Sequence, residues 1–347
     1  MHQIKKILIL VIVLVAIIII YNLLKSRQII KINYEKEKEL KEGFVDAPAS
    51  AVSIAAIPQS YLQLPIREFI IKSSYNSAIN NENIAEKKQI MTVLERGCRL
   101  IDFEIYTRNN IEYVSYSEDP KYKSMDTENE GDKRLPLSEA FNTTIGYAFT
   151  SPAPSPNDPL FISLRIKNNS AETYSRIATL IANAFNSRLY KGEVNSGTLL
   201  NKLMGKVVII LDRTSSPEYK NFMTCSTSSC YKLTEYVNIE AGTIGFPKYT
   251  YTNLETLPQK LVSSSKYGLR TNIKSFMIMT PTQIDQVKPP NPVDTISKIF
   301  PQFILYKFYN PGEELTEYEN IFNENRTALV PVSVIISNSQ KRNSAPK

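Results

Sequence analysis

Residues 66–79 read IREFIIKSSYNSAI, residues 85–95 read AEKKQIMTVLE, and residues 97–106 read GCRLIDFEIY. The first and last are strand-like: residues 68–72 and 99–106 have the length and apolar density of buried strands. In the middle segment Ile90, Val93 and Leu94 recur at helical spacing. The three together make a β–α–β unit, in which successive strands lie parallel and the helix crosses over. Asp102 and Glu104 are two apart on the second strand, so they share one face.

Outward from this unit the pattern repeats. Residues 112–116 read as a third strand, followed by a charged loop over 119–134. Residues 137–148 read as a helix carrying Phe141, Ile145 and Ala148 on one face, and residues 160–166 as a buried strand. The clearest helix is 171–190, where Ile177, Leu180, Ile181, Ala184 and Phe185 keep helical spacing, and 206–211 is a further apolar strand. Three strand–helix alternations argue for an α/β fold with a mostly parallel sheet, open or closed. The second half is less regular. Residues 217–264 are polar and rich in tyrosine; 275–279, 303–309 and 328–334 read as strands, 294–300 and 314–323 as helices, and 337–347 as a polar tail.

Ahead of the fold, the apolar run from Ile7 to Leu24 approaches the ~20 residues that cross a bilayer core. No small-residue cleavage site follows it, so the expectation is an uncleaved single-pass anchor over 1–27, with 28–62 as stalk and linker. Lys25, Arg27 and Lys31 after the run favour a cytosolic bulk, whereas signal-anchor behaviour would place the bulk on the other side. Both orientations stay open. The net charge of +7 permits attraction to anionic phospholipid headgroups, although the basic residues are dispersed among acidic ones. No aromatic RNA-binding signature or metal-finger spacing is present, which argues against nucleic acid as a partner.

The chain has three cysteines and one histidine. Cys225 and Cys230 bracket a short loop and would form a disulfide only in an oxidising compartment; Cys98, at the head of an apolar strand, reads as a buried thiol. Zinc is not expected, because two cysteines lack partners of the right type. The sole histidine is His2, ahead of the apolar run, so no imidazole is available to a site within the fold. Ser73, Ser74 and Ser163 have no base near them in sequence and read as strand-end hydrogen bonders.

The order of segments resembles the catalytic barrel of the phosphoinositide-specific phospholipase C family, a distorted TIM (β/α)8 barrel in X and Y halves. Residues 66–79 resemble the family strand that ends Ser-Ser-His-Asn-Thr-Tyr, and residues 97–106 its Gly-Cys-Arg-x-x-Glu-x-Asp segment. Residues 147–166 resemble its Tyr-Ala-Phe…Ser-Pro…Leu-Ser-Leu-Glu block, and residues 203–210 its Gly-Lys strand. Residues 303–332 resemble the closing strand and the Asn-rich segment of the Y half. The resemblance implies a barrel over 63–336, with an X-like half over 63–212 and a Y-like half over 260–336.

It also implies a changed site. One family histidine aligns with Tyr75, and the other falls near Tyr116 or Ser117. The family's four calcium ligands align with Asn76, Asp102, Glu104 and Arg165, so a cation stands where the last carboxylate belongs. Such an arginine would pair with Asp102 and Glu104 and repel calcium, and no cofactor is expected. Arg165 reads either as a structural ion pair in a dead site or as a substitute for the metal's charge. The phosphate-binding lysines align with Ile210 and Asp212, and Tyr267 is a weak candidate for stacking on a ring substrate.

The expectation is therefore a membrane-anchored, catalytically inactive phospholipase-C-like barrel acting as a binding or structural protein at a membrane. The alternatives are a divergent phosphoric diester hydrolase using Tyr75, Arg165 and the carboxylates, and a structural membrane protein of a virus particle.

Overall fold

A computed structural model of the protein describes residues 52–117, 133–222, 231–254, 257, 276–282 and 288–344. The anchor and stalk up to residue 51, Cys225, Cys230 and Tyr267 lie outside the described residues. Among the described residues, no helix is long and apolar enough to cross a membrane.

In chain order the elements are β1 (Phe69–Ser74), α1 (Lys87–Glu95), β2 (Leu100–Arg108), β3 (Ile111–Val114), β4 (Leu135–Pro136), α2 (Leu137–Ala148), β5 (Leu160–Ile166), α3 (Ala171–Phe185) and β6 (Val207–Asp212). There follow β7 (Ile239–Ala241), β8 (Lys248–Thr250), β9 (Ile278–Thr280), α4 (Pro292–Ile299), β10 (Phe303–Tyr306), α5 (Glu313–Asn325), β11 (Leu329–Pro331) and α6 (Val332–Ser344). Eight strands join in the order β7-β6-β5-β2-β1-β10-β9-β8, every neighbouring pair parallel. This is a nearly closed parallel α/β barrel of the TIM type, open only between β7 and β8. β11 runs antiparallel to the first half of β1, and β3 and β4 form a small antiparallel extension on β2.

The alternation of each strand decides what fills the barrel. Phe161 of β5 packs edge-on against Phe303 of β10, with ring centroids 5.2 Å apart, and Phe246 and Phe276 join the same cluster. Those residues face inward, so Ser163 and Arg165, at two-residue steps from Phe161, face inward too. The register places Asp102 beside Ser163 and Glu104 beside Arg165. Phe103 points the other way and packs on Phe141 of α2.

Outside, α3 is capped by Ser170, whose hydroxyl accepts from the Thr173 N–H, and buries Tyr174, Ile177, Ala178, Ile181 and Phe185 along one stripe. Full burial of each large apolar side chain stabilises the barrel by about 1.5–3 kcal/mol.

Four sequence expectations shift. The linker ends earlier than residue 62: Ile54 and Ile57 are buried against the barrel, and the Ala55 N–H donates to the Arg326 carbonyl at 3.0 Å. Gly97, at φ +85, leaves room for Ile54; a Cβ there would collide with it. The Tyr-rich segment is not only loop, because the short strands β7 and β8 lie within it. The last strand stops at Pro331, and the expected polar tail lies largely within α6. There Val332 and Ile335 are buried three residues apart, so helical packing overrides the β preference of this branched run.

Candidate functional site

The C-terminal ends of β1, β2 and β5 bring Tyr75, Asn76, Asp102, Glu104, Ser163 and Arg165 together at one mouth of the barrel. Asn76 adopts a left-handed backbone at φ 44, which asparagine tolerates better than most residues, and this turns the chain off β1. Its N–H donates to Asp102 Oδ2 at 3.1 Å, and its side-chain oxygen accepts from Arg165 Nη2.

Arg165 is the hub. Its Nε donates to both oxygens of Asp102 at 3.1 and 3.2 Å, Nη2 also reaches Asp102 Oδ2 at 2.9 Å, and Nη1 donates to Glu104 Oε2 at 3.0 Å. Ser163 donates to Asp102 Oδ1 at 2.9 Å. Glu104 Oε1 accepts from the Tyr106 hydroxyl at 2.6 Å and pairs with Lys167 at 3.0 Å. The Tyr75 ring lies over the guanidinium, 4.4 Å from its carbon to the ring centroid. Arg165 is only 5% exposed, and both carboxylates are fully buried.

Charge explains why this cluster is tolerated. Two carboxylates meet two cations, Arg165 and Lys167, so the buried set is neutral. Burial alone would discharge Arg165, but Asp102 and Glu104 outweigh it and hold the side chain firmly protonated. Burial opposes ionisation of Glu104 as well; Arg165 and Lys167 overcome it and keep its carboxyl below the usual range. Burial drives the Tyr75 phenol far above its ordinary value, countered only in part by Arg165.

Asn76 Oδ1, Asp102 and Glu104, the oxygens the resemblance offers to calcium, all accept from Arg165. Among the described residues, no group of three or more His, Cys, Asp or Glu side chains is disposed to hold a metal ion.

Of the other expected residues, Tyr116 packs on the core close enough to Tyr75 and Tyr309 to influence both phenols, and Ser117 is half-buried one residue on. Asp212 ends β6 and accepts from Thr214 and from Lys248 Nζ at 2.6 Å. Lys248 thus reaches from β8 past β7 to β6, bridging the unpaired seam.

Sequence reasoning missed Tyr309, Lys167 and Tyr106. The buried Tyr309 hydroxyl and Asn76 Nδ2 approach each other without meeting hydrogen-bond geometry. Lys167 was legible in principle, since it stands two residues beyond Arg165 on the same strand face.

A nearly closed parallel barrel with its polar cluster at the C-terminal mouth is the arrangement of a TIM-barrel site, and the solved structures it is similar to are phospholipase-C-like phosphodiesterases. Residues 62–212, just under half of the chain, match the profile of the family described as phosphatidylinositol-specific phospholipase C, X domain.

Among solved structures, PLC21 of L. pealei is similar at TM-score 0.57 and 14% identity over 78% of this chain. This chain covers 37% of PLC21. The calcium-dependent phosphoinositol-specific phospholipase C of a Gram-negative Pseudomonas sp. is similar at TM-score 0.51 and 11% identity, covering 80% of this chain and 99% of that one. At such identities these likenesses establish the fold alone. A sequence comparison with curated proteins found no match.

Proposed function

We propose that the chain is a membrane-anchored phospholipase-C-like barrel without phosphodiesterase turnover, serving as a binding or structural protein at a membrane. The observation that carries this reading is the Arg165 guanidinium, locked between Asp102, Glu104 and Asn76 beneath Tyr75. Cleaving a phosphodiester needs one group to take a proton from the attacking hydroxyl and another to protonate the leaving oxygen. It also needs positive charge free to meet the phosphoryl oxygens. Tyr75 keeps its proton at neutral pH, because burial raises its pKa so far. Arg165 has its donors committed to protein oxygens. The anchor is the apolar run that ends at Leu24.

One observation supports a second reading, a divergent phosphodiesterase. The guanidinium sits among the residues that the resemblance assigns to calcium, where it would supply the missing positive charge.

An assay separates the two. The full chain is offered phosphatidylinositol, its phosphorylated forms and glycerophosphodiesters, with and without calcium. Headgroup binding without turnover is the expected result. Turnover that Tyr75→Phe or Arg165→Ala abolishes would sink the inactive reading, and absence of both turnover and lipid binding would favour a purely structural role.

A further inference from the structure

Many of the barrel's cations are held by carboxylates. At the C-terminal end Arg165 and Lys167 are paired with Asp102 and Glu104, Lys248 with Asp212, and Arg213 and Lys220 with Glu240. At the opposite end, the stretch 188–206 carries Arg188, Lys191, Lys202 and Lys206 against one acidic residue, Glu193. None of these four cations has a carboxylate partner among the described residues.

Backbone contacts fix these residues at the strand starts. The Val207 N–H donates to the Arg188 carbonyl at 2.7 Å, and the Leu160 N–H to the Lys206 carbonyl at 2.9 Å. Asn238, just ahead of β7, holds the carbonyls of Tyr190 and Gly192 on either side of Lys191. The turn bearing Lys202 is tied to Leu62 and Leu64, just ahead of β1. Arg188 lies over the Phe149 ring at 4.3 Å, while Lys191 and Lys202 are exposed.

Ile54 and Ile57 lie against the barrel at this same end. Ile54 packs at Gly97 and near Pro154, beside the starts of β2 and β5. The loop 149–158 links that contact to the basic stretch, because Asn157 accepts from the Gly205 N–H at 2.7 Å.

We propose that this N-terminal end of the barrel is a docking surface for an anionic lipid bilayer, so that the Arg165 mouth opens away from the bilayer docked there. The proposal rests on the membrane-anchored reading above. Lysines and arginines without a carboxylate partner attract a negatively charged leaflet by about 1 kcal/mol each, whereas cations already paired with carboxylates contribute less. A phospholipase acting on its own membrane needs its mouth against the bilayer. This barrel instead offers its site to a ligand arriving from the aqueous side or from a facing surface.

The test is a lysine footprint of the full chain, reconstituted into vesicles of phosphatidylcholine alone or mixed with phosphatidylserine. With phosphatidylserine, acetylation of Lys191, Lys202 and Lys206 should slow at least about tenfold, as an attraction of roughly 1 kcal/mol per residue implies. Lys88 and Lys133, near the mouth, should be unchanged. The protection should vanish at about 1 M salt, where the Debye length falls to ~3 Å. The K191E/K202E/K206E variant, with its circular dichroism retained, should show no difference between the two vesicle types.

Equal labelling on both vesicle types, or protection of Lys88 and Lys133 instead, would overturn the proposal. So would equal protection of the three lysines by an RNA oligonucleotide without lipid, which would point to nucleic acid as the occupant. Release of the chain by alkaline carbonate would overturn the anchored reading alone, because the footprint on sedimented vesicles still reports which end meets lipid.

Discussion

Replacing Arg165 by methionine removes the cation and keeps most of the side-chain volume. Asp102 would keep Ser163 and the Asn76 N–H, and Glu104 would keep Tyr106 and Lys167. The variant therefore loses the guanidinium bonds to two fully buried carboxylates, leaving one net negative charge in the barrel mouth. Removing one partner of a buried ion pair costs about 3–5 kcal/mol. The partners that stay in place argue for the middle of that range, about 4 kcal/mol, against a typical domain stability of roughly 5–15 kcal/mol.

The pH dependence provides a second signature. In the parent protein Glu104 has a depressed folded pKa. It therefore contributes stability above the unfolded value of about 4.3, and that contribution is lost as pH falls through the folded value. Without Arg165, the burial that opposes ionisation of Glu104 is offset only by Lys167 and Tyr106, so that contribution shrinks at neutral pH. The gap between parent and variant should be widest near neutrality and narrow in acid. The chain has no tryptophan and twenty tyrosines, so urea unfolding is followed by far-ultraviolet circular dichroism and tyrosine fluorescence in mild detergent. A loss below about 1 kcal/mol at pH 7, the scale of an exposed surface pair, would refute the buried-hub reasoning.

Two further outcomes follow from other parts of the fold. Cys98 is fully buried and its thiol is pushed up to about 12 by that burial, so maleimide at pH 8 should label its peptide only after unfolding. Labelling of native protein at a free-thiol rate, read by mass spectrometry, would contradict this. Lys248→Met strips the bridge across the β7/β8 seam from Asp212, which keeps donors on Thr214 and Ser215, so the expected cost is about 1–3 kcal/mol. Asp212→Asn in the same chain should recover part of it; strict additivity in a double-mutant cycle would show that the two groups are not coupled.

Much of the site was legible because strand geometry is local. A two-residue period puts Asp102 and Glu104 on one face, and the resemblance adds Asn76 and Arg165 to them. Parallel register then forces Glu104 beside Arg165. Ser163 is a strand hydrogen bonder, as its lack of a nearby base indicated, and its acceptor is Asp102. The remainder depended on distant contacts that no short pattern encodes. β7 and β8 are three residues each, too short to show a period, and their positions are set by Asn238, Phe246 and the Lys248 bridge. Nothing local announces α6, because its Val and Ile run favours a strand, whereas burial of Val332 and Ile335 three residues apart suits a helix.

The Tyr318 hydroxyl of α5 accepts from the Ser73 N–H at 2.8 Å and donates to the Ile71 carbonyl at 3.3 Å, 245 and 247 residues away in sequence. Glu319, the next residue, meets the fully buried Lys72 of the same strand at 3.0 Å. β10 and β11 flank β1 as well, so the first strand of the barrel has its neighbours among the barrel's last segments. Until residue 331 is in place, β1 carries an unneutralised lysine and open backbone groups, and the barrel cannot lock. Closure of the barrel therefore waits for α5, β10 and β11. Truncation within α5 would expose the strand that the rest of the barrel is built around.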